Sequence, residues 1–174
     1  MVQDLVHLSD FVIEACDKAG REILQVYESP DFETYIKEDK SPLTSADRKS
    51  HTILDAYLLT TGIPVISEEG QQFPYEERSQ WEYFWLVDPL DGTKEFLKRN
   101  GEFTVNVSLI HRNEPVLGVV AVQVSGDVYF AAKGHGAFLR REGNTNRLLK
   151  RSPADVKKKG LRVVASRSHM NKET

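Results

Sequence analysis

The residues best equipped for chemistry are acidic, and they fall in three places. The segment Asp88-Pro89-Leu90-Asp91-Gly92-Thr93 sets two carboxylates three positions apart, around a proline and ahead of a glycine. Pro89 fixes one backbone torsion and Gly92 permits close approach of a ligand, so Asp88 and Asp91 are expected to face a common point with the Leu90 carbonyl beside them. Hard oxygen donors in such a cluster suit Mg²⁺, which wants octahedral oxygen geometry. A helix starting at Thr93 would aim free N–H groups at an anion beside the metal. The second place is Glu68-Glu69, directly after an apolar run, and the third is Asp47, behind Ser41-Pro42-Leu43-Thr44. Taken alone, each has a plainer reading. Asp-Pro-x-Asp-Gly-Thr is a good turn, and an acid near a helix start complements the helix dipole. Together they favour one pocket for metal and phosphate.

These groups need a scaffold, and the hydrophobic spacing supplies one. Leu5, Leu8, Val12, Ala15, Ala19, Ile23 and Val26 recur at steps of three and four, which predicts a helix to about Tyr27 that ends at Ser29-Pro30. Asp31 to Pro42 is polar without a clear period and reads as a mobile loop. A second helix is expected from Thr44 or Ser45, carrying Ile53, Leu54, Tyr57 and Leu58 inward and closing at Gly62 and Pro64. The period then changes. Ile63 to Ser67 and Trp81 to Val87 read as buried strands that deliver carboxylates at their C-terminal ends. Phe103 to Leu109 alternates as a half-buried strand, and Val116–Val124 and Asp127–Ala132 follow around a Ser125-Gly126 turn. Gly136–Arg141, Arg147–Lys150 and Leu161–Ala165 are further short strands. The order predicts an α+β fold, two N-terminal helices packed on a large antiparallel sheet.

With 174 residues, 40% hydrophobic and 28% charged, the chain has ordinary globular composition, which excludes disordered, collagenous and coiled-coil classes. The net charge of −3 gives no general argument for a nucleic-acid polymer or an anionic membrane as partner. The charge is unevenly placed: Arg140 to Thr174 holds eleven Lys and Arg against Glu142, Asp155 and Glu173, so the body before it is acidic. The plainer reading of that end is a solvated face with an exposed Lys157-Lys158-Lys159 loop. Cys16 is the one cysteine, which excludes an intrachain disulfide and suits a reducing cytoplasm. No apolar run approaches the roughly 20 residues of a transmembrane segment, and the N-terminus lacks an export pattern. His7, His51, His111, His135 and His169 show no ligand spacing, and Cys16 lies beside the helical stripe as an inert core thiol. Gly134-His135-Gly136 is no dinucleotide fingerprint.

At Trp85 to Phe96 the sequence resembles the first signature of the lithium-sensitive, magnesium-dependent inositol monophosphatase superfamily. The form Asp-Pro-Leu-Asp-Gly-Thr-Lys-Glu-Phe, followed by Lys98 to Asn106, is similar to its bacterial 3′(2′),5′-bisphosphate nucleotidase branch. Ser41 to Asp47, Val65 to Glu69 and Ser166-Arg167-Ser168-His169 add to the likeness. The resemblance implies the N-terminal half of an αβαβα layered phosphatase fold. It also implies a Mg²⁺-dependent phosphomonoesterase acting on a small phosphate ester, the 3′-phosphate of adenosine 3′,5′-bisphosphate, which it converts to AMP. Glu68, Asp88, the Leu90 carbonyl and Asp91 would hold the metals, with Glu69 as a neighbouring support. Asp47 with Thr93 would orient and deprotonate the attacking water. Gly92 and Thr93 N–H groups would hold the phosphate, and Glu68, Leu90 and Asp91 would border the substrate. Cytoplasmic placement, or attachment at the cytoplasmic face of the inner membrane, and a role in sulfur assimilation come with the same likeness.

One departure bears on this expectation. The superfamily's second signature, a Trp-Asp that brings another metal-binding aspartate, has no counterpart, since Trp81 and Trp85 are followed by Glu82 and Leu86. Two domains are therefore expected: residues 1–160 as the α+β metal-binding domain, and 161–174 as the start of a C-terminal domain otherwise missing. On that view the alternatives are an inositol or sugar monophosphatase, or a catalytically impaired fragment. Self-association through sheet exposed by truncation is a further expectation. Arg167 and the tail lysines are either surface charges or partners of a second substrate phosphate.

Overall fold

The computed structural model describes residues 4–37 and 42–148. Helix α1 (Leu5–Glu28) opens at Asp4, whose side chain accepts hydrogen bonds from the Val6 and His7 amides at 3.0 Å. This is the capping expected of an aspartate ahead of an amphipathic run. Strands β1 (Thr34–Ile36) and β2 (Pro42–Thr44) follow, then α2 (Ser45–Leu59), β3 (Val65–Ser67) and the single turn α3 (Tyr75–Arg78). Strand β4 (Tyr83–Asp91) leads into the short helix α4 (Thr93–Leu97). The remainder is a meander of β5 (Thr104–His111), β6 (Glu114–Val122), β7 (Asp127–Ala132), β8 (Gly136–Arg141) and β9 (Asn144–Arg147).

Strands β3 to β9 form one seven-stranded sheet in sequence order. The α+β architecture is as expected, with one refinement. The sheet is mixed, because β3 pairs parallel to β4 while every later neighbour is antiparallel. Parallel pairing requires a crossover rather than a hairpin, and residues 68–82 with α3 provide it.

Helices α1 and α2 pack on each other and on one face of the sheet. Val12, Cys16 and Ile23 of α1 and Leu54 and Leu58 of α2 meet Trp85, Val107, Leu109 and Val119 in a core that is essentially closed to water. Inside this core the Trp85 indole N–H donates to Thr61 Oγ1 at 3.0 Å, as a buried indole requires. The other face carries the alternate residues: Leu86 at 47% and Val120 at 40% exposure, with Asn106, Ser108 and Tyr129.

Two expectations are corrected. Asp31 to Pro42 is not wholly irregular, since β1 and β2 pair as a small antiparallel ribbon with the register Thr34↔Thr44, Tyr35↔Leu43 and Ile36↔Pro42. The final described strand starts at Asn144 rather than Arg147, because the Glu142-Gly143 turn brings the polar stretch back along β8; of the expected Arg147–Lys150 strand, Leu149 and Lys150 lie outside the described residues. Ser41, the Lys157-Lys158-Lys159 loop, the strand at Leu161–Ala165, Ser166 to His169 and the expected second domain lie outside the described residues.

Candidate active site

The acidic segment is not a free turn after a strand, as its residue types alone suggest; β4 runs through it. Asp88 pairs with Asn106 and Asp91 with Thr104, so three steps along β4 match two along β5. That is a β-bulge, with one extra residue on β4. The bulge decides which way the acids point. In a regular strand, residues three apart lie on opposite faces. Here Pro89 and Leu90 are both buried, while Asp88 and Asp91 share the face of Asn106 and Thr104. Asn106 Nδ2 donates to Asp91 Oδ2 at 3.0 Å, and Thr104 Oγ1 donates to Asn106 Oδ1 at 3.0 Å, which fixes the amide that holds Asp91.

The bulge is fastened from the helical side. Ser50, fully buried on α2, donates its hydroxyl to the Pro89 carbonyl at 2.7 Å. The chain then leaves β4 through Gly92 at φ +95°, where a Cβ would lie 2.8 Å from the Glu102 carbonyl oxygen. Both facts explain a glycine at this position. The Gly92 carbonyl accepts from the Glu95 and Phe96 amides, and Phe96 anchors α4 among Tyr27, Phe32 and Phe103.

Asp47 arrives from the start of α2. Thr44 caps that helix and Asp47 closes a capping box, with the Thr44 amide 2.7 Å and its hydroxyl 2.5 Å from Asp47 Oδ2. The second oxygen, Oδ1, accepts from Thr93 Oγ1 at 3.1 Å, and the same hydroxyl lies 3.3 Å from the Leu90 carbonyl. Asp47, Leu90 and Thr93, chosen from sequence, are thus brought together. Burial raises the Asp47 carboxyl above its ordinary range, and the bonds from Thr44 and Thr93 offset part of that rise.

Glu68 extends β3 by one ladder bond, from its amide to the Val87 carbonyl at 3.1 Å, which carries its side chain to the level of Asp88. Burial, then the charges of Glu68 and Asp91, push the Asp88 carboxyl up to about 7. Asp88 therefore reports a concentration of negative charge that a cation would relieve. Lys37 supplies one cation already: its ammonium bonds Glu68 Oε1 at 2.9 Å and also Glu69 Oε1. Among the described residues no group of three or more His, Cys, Asp or Glu side chains is gathered tightly enough to hold a metal ion. The donor set nevertheless fits a hard divalent cation, being all oxygen and anionic. An apolar-floored groove of about 470 Å³ adjoins it on the open face of the sheet, bordered by Glu68, Asp88, Asn106, Ile66, Leu86 and Val120.

Sequence reasoning missed Lys37, Ser50 and the grip of Asn106 on Asp91. The Thr104, Asn106, Ser108 alternation carried a signal for Asn106, as a polar row facing away from the core. Ser50 gave none beyond its helical position, and Lys37 none, since its partners lie 31 and 32 residues away. His51 bonds Ser67 Oγ at 3.0 Å and His111 stacks on Tyr83, both consistent with structural histidines.

A fold of this topology with acids at the ends of β3 and β4 defines a class. The family model described as the inositol monophosphatase family matches residues 4–174, and the chain belongs to that family. Among curated proteins it is 50% identical over 126 residues to the 3′(2′),5′-bisphosphate nucleotidase CysQ of Salmonella typhimurium, covering 71% of this chain and 51% of that protein. It is 42% identical over 167 residues to the protein of the same name from Shigella flexneri, covering 94% of this chain and 65% of that one. The solved structure of CysQ from Bacteroides thetaiotaomicron, described as a bacterial member of the inositol monophosphatase family, superposes with a TM-score of 0.68 at 48% identity. That match covers 78% of this chain and 50% of the other. The chain thus spans about half the length of several curated relatives it matches.

Proposed function

We propose that the chain carries the metal-holding and water-activating part of a phosphomonoesterase site, with the 3′-phosphate of adenosine 3′,5′-bisphosphate as substrate and AMP and phosphate as products. The observation that carries this reading is the meeting of Asp47, Thr93 and the Leu90 carbonyl beside Glu68, Asp88 and Asp91. The named relatives, called bisphosphate nucleotidases, support the substrate.

Glu68, Asp88, the Leu90 carbonyl and Asp91 would hold Mg²⁺, which when bound neutralises phosphoryl oxygens and acidifies water. Asp47 takes the proton from the attacking water. Its carboxyl is buried and raised above the usual carboxylate range, the direction that strengthens a general base. Thr93 orients that carboxylate through Oδ1, while Thr44 fixes Oδ2. The Gly92 and Thr93 N–H groups receive the phosphate, and Glu68, Leu90 and Asp91 border it. As the P–O bond to water forms, the bond to the 3′ oxygen breaks; that oxygen takes up a proton from solvent water, and Asp47 gives back to solvent the proton it accepted. The groove over Ile66, Leu86 and Val120 offers apolar area to the nucleoside.

Phosphate release from adenosine 3′,5′-bisphosphate and from inositol 1-phosphate, each with and without Mg²⁺ and with Li⁺, tests the reading. Mg²⁺-dependent, Li⁺-inhibited release that favours the nucleotide and vanishes in Asp88→Asn is expected. Activity surviving that change sinks the assignment. Preference for the inositol ester moves the substrate to that class. Metal binding without turnover favours the reading of a catalytically impaired form. The compartment that fits this reading is the cytoplasm, where Cys16 stays reduced, and no helix among the described residues is long and apolar enough to cross a membrane. The Leu86 and Val120 face is the surface through which copies would associate, and sedimentation velocity over a concentration series tests that.

A further inference from the structure

Lys37 leaves the β1–β2 ribbon directly after its last pair, Ile36↔Pro42, and turns its side chain onto Glu68 and Glu69. The Lys37 side chain is 22% exposed and that of Glu69 10%, so that pair is shielded from solvent, whereas Glu68 at 53% leaves its carboxylate open to an incoming cation. A lysine ammonium is a compact point charge on a flexible stem, the side chain nearest to a small cation in shape and hydration. Among the described residues no salt bridge reaches Asp47, Asp88 or Asp91, whereas Lys37 bridges Glu68 and Glu69.

We propose that Lys37 is a built-in competitor for the divalent cation: its ammonium occupies Glu68, and metal binding requires that ammonium to be released. The inference rests on the reading of Glu68 as a metal-holding residue. The charges decide the order of preference. A divalent ion attracts Glu68, Asp88 and Asp91 together, with twice the charge, whereas the ammonium reaches Glu68 and Glu69 alone. Metal therefore wins when plentiful, and Lys37 sets the concentration at which it wins. The two cations repel at a separation of a few ångströms, so both cannot sit on Glu68 without a large loss of affinity. Because Lys37 directly follows strand β1, its release also removes a tie at that end of the ribbon. The other end stays tied by the Ser45 amide to the Glu33 carbonyl at 3.1 Å and by Arg48 over the Tyr35 ring at 4.3 Å.

The test is titration of the whole chain with Mn²⁺, following free Mn²⁺ by its electron paramagnetic resonance signal, for the parent chain, Lys37→Met, Lys37→Arg and Asp88→Asn. Lys37→Met is expected to bind Mn²⁺ about tenfold or more tightly than the parent. Lys37→Arg, which keeps the charge, should stay within about threefold of it. Equal or weaker binding by Lys37→Met overturns the proposal, since Lys37 would then be arranging the glutamates for metal. Asp88→Asn tests the underlying reading separately: undiminished binding there puts the ion elsewhere and removes the premise, whatever Lys37→Met does. Thermal melts give a second readout. In chelator, Lys37→Met should melt below the parent because Glu68 and Glu69 lose their counter-charge, and saturating Mn²⁺ should close that gap. A gap unchanged by Mn²⁺ counts against competition.

Discussion

Thr93 and Asp47, forty-six residues apart in the chain, meet through a hydrogen bond in which Thr93 Oγ1 donates to Asp47 Oδ1 at 3.1 Å. The hydroxyl has one proton, and the Leu90 carbonyl, 3.3 Å away, is the other acceptor within reach. Thr93→Val keeps the shape and removes the donor. The Asp47 carboxyl, already raised by burial, should then titrate at still higher pH, because the bond favours its charged form. Carboxyl-carbon NMR across a pH series measures this. An unmoved Asp47 would show that the proton goes to Leu90 instead.

Asp88 makes the metal-free chain sensitive to pH. Its folded-state carboxyl sits at about 7 against an ordinary 3.8, so the folded form holds the proton more tightly than the unfolded one. The stabilisation is complete below about pH 4 and is lost as pH rises through about 7. Asp88→Asn cannot ionise. In chelator it should be more stable than the parent at pH 8, by roughly 1–3 kcal/mol, with the difference closing towards pH 4. Urea denaturation at pH 4, 6 and 8 gives the comparison, and a constant difference would contradict it.

Ser50→Ala removes the hydroxyl that binds the Pro89 carbonyl at 2.7 Å in a fully buried setting. A buried acceptor left without its donor costs about 1–3 kcal/mol. The same change loosens the bulge that carries Asp88 and Asp91, so Mn²⁺ affinity should fall along with the denaturation midpoint. A fall in stability with unaltered affinity would mean that the bulge holds its shape without Ser50.

Gly92→Ala meets two obstacles, a φ of +95° and a Glu102 carbonyl oxygen 2.8 Å from the new methyl. A strained backbone position of this kind costs about 1–3 kcal/mol. Both the melting temperature and Mn²⁺ binding should drop. A variant that melts like the parent would show that the β4 to α4 joint can relax.

Much of the scaffold was legible because burial follows period. The stripe through Val12, Ala15, Ala19, Ile23 and Val26 is the buried face of α1, and β7 and β8 lie within the expected bounds. Thr44 and Asp47 were legible as a helix start because capping is local. What escaped was non-local or lacked apolar content. Periodicity does not encode direction, so the parallel partnership of β3 with β4 was hidden. Strand β1 is exposed throughout and β9 is wholly polar, so neither carries a hydrophobic signal. In the site, Asp88, Asp91, Glu68 and Asp47 stood out by residue type and spacing as acids, while the roles proposed for Glu68, Asp47 and Thr93 came from the family resemblance. Lys37 lay hidden in a polar stretch, because its role depends on pairing across the chain.

The extra residue in β4 makes the segment between Asp88 and Asp91 unequally tolerant of changes in length. Losing either Pro89 or Leu90 would leave the two acids two steps apart, and regular pairing would keep them on one face. Gaining a residue would also make the separation even, but regular pairing would then set Asp91 opposite Glu102, before the start of β5 and away from the Asn106 amide that holds it. Natural or engineered variants of this segment should therefore include shortenings more readily than insertions. The register irregularity acts as a parity count on which the geometry of the acids depends.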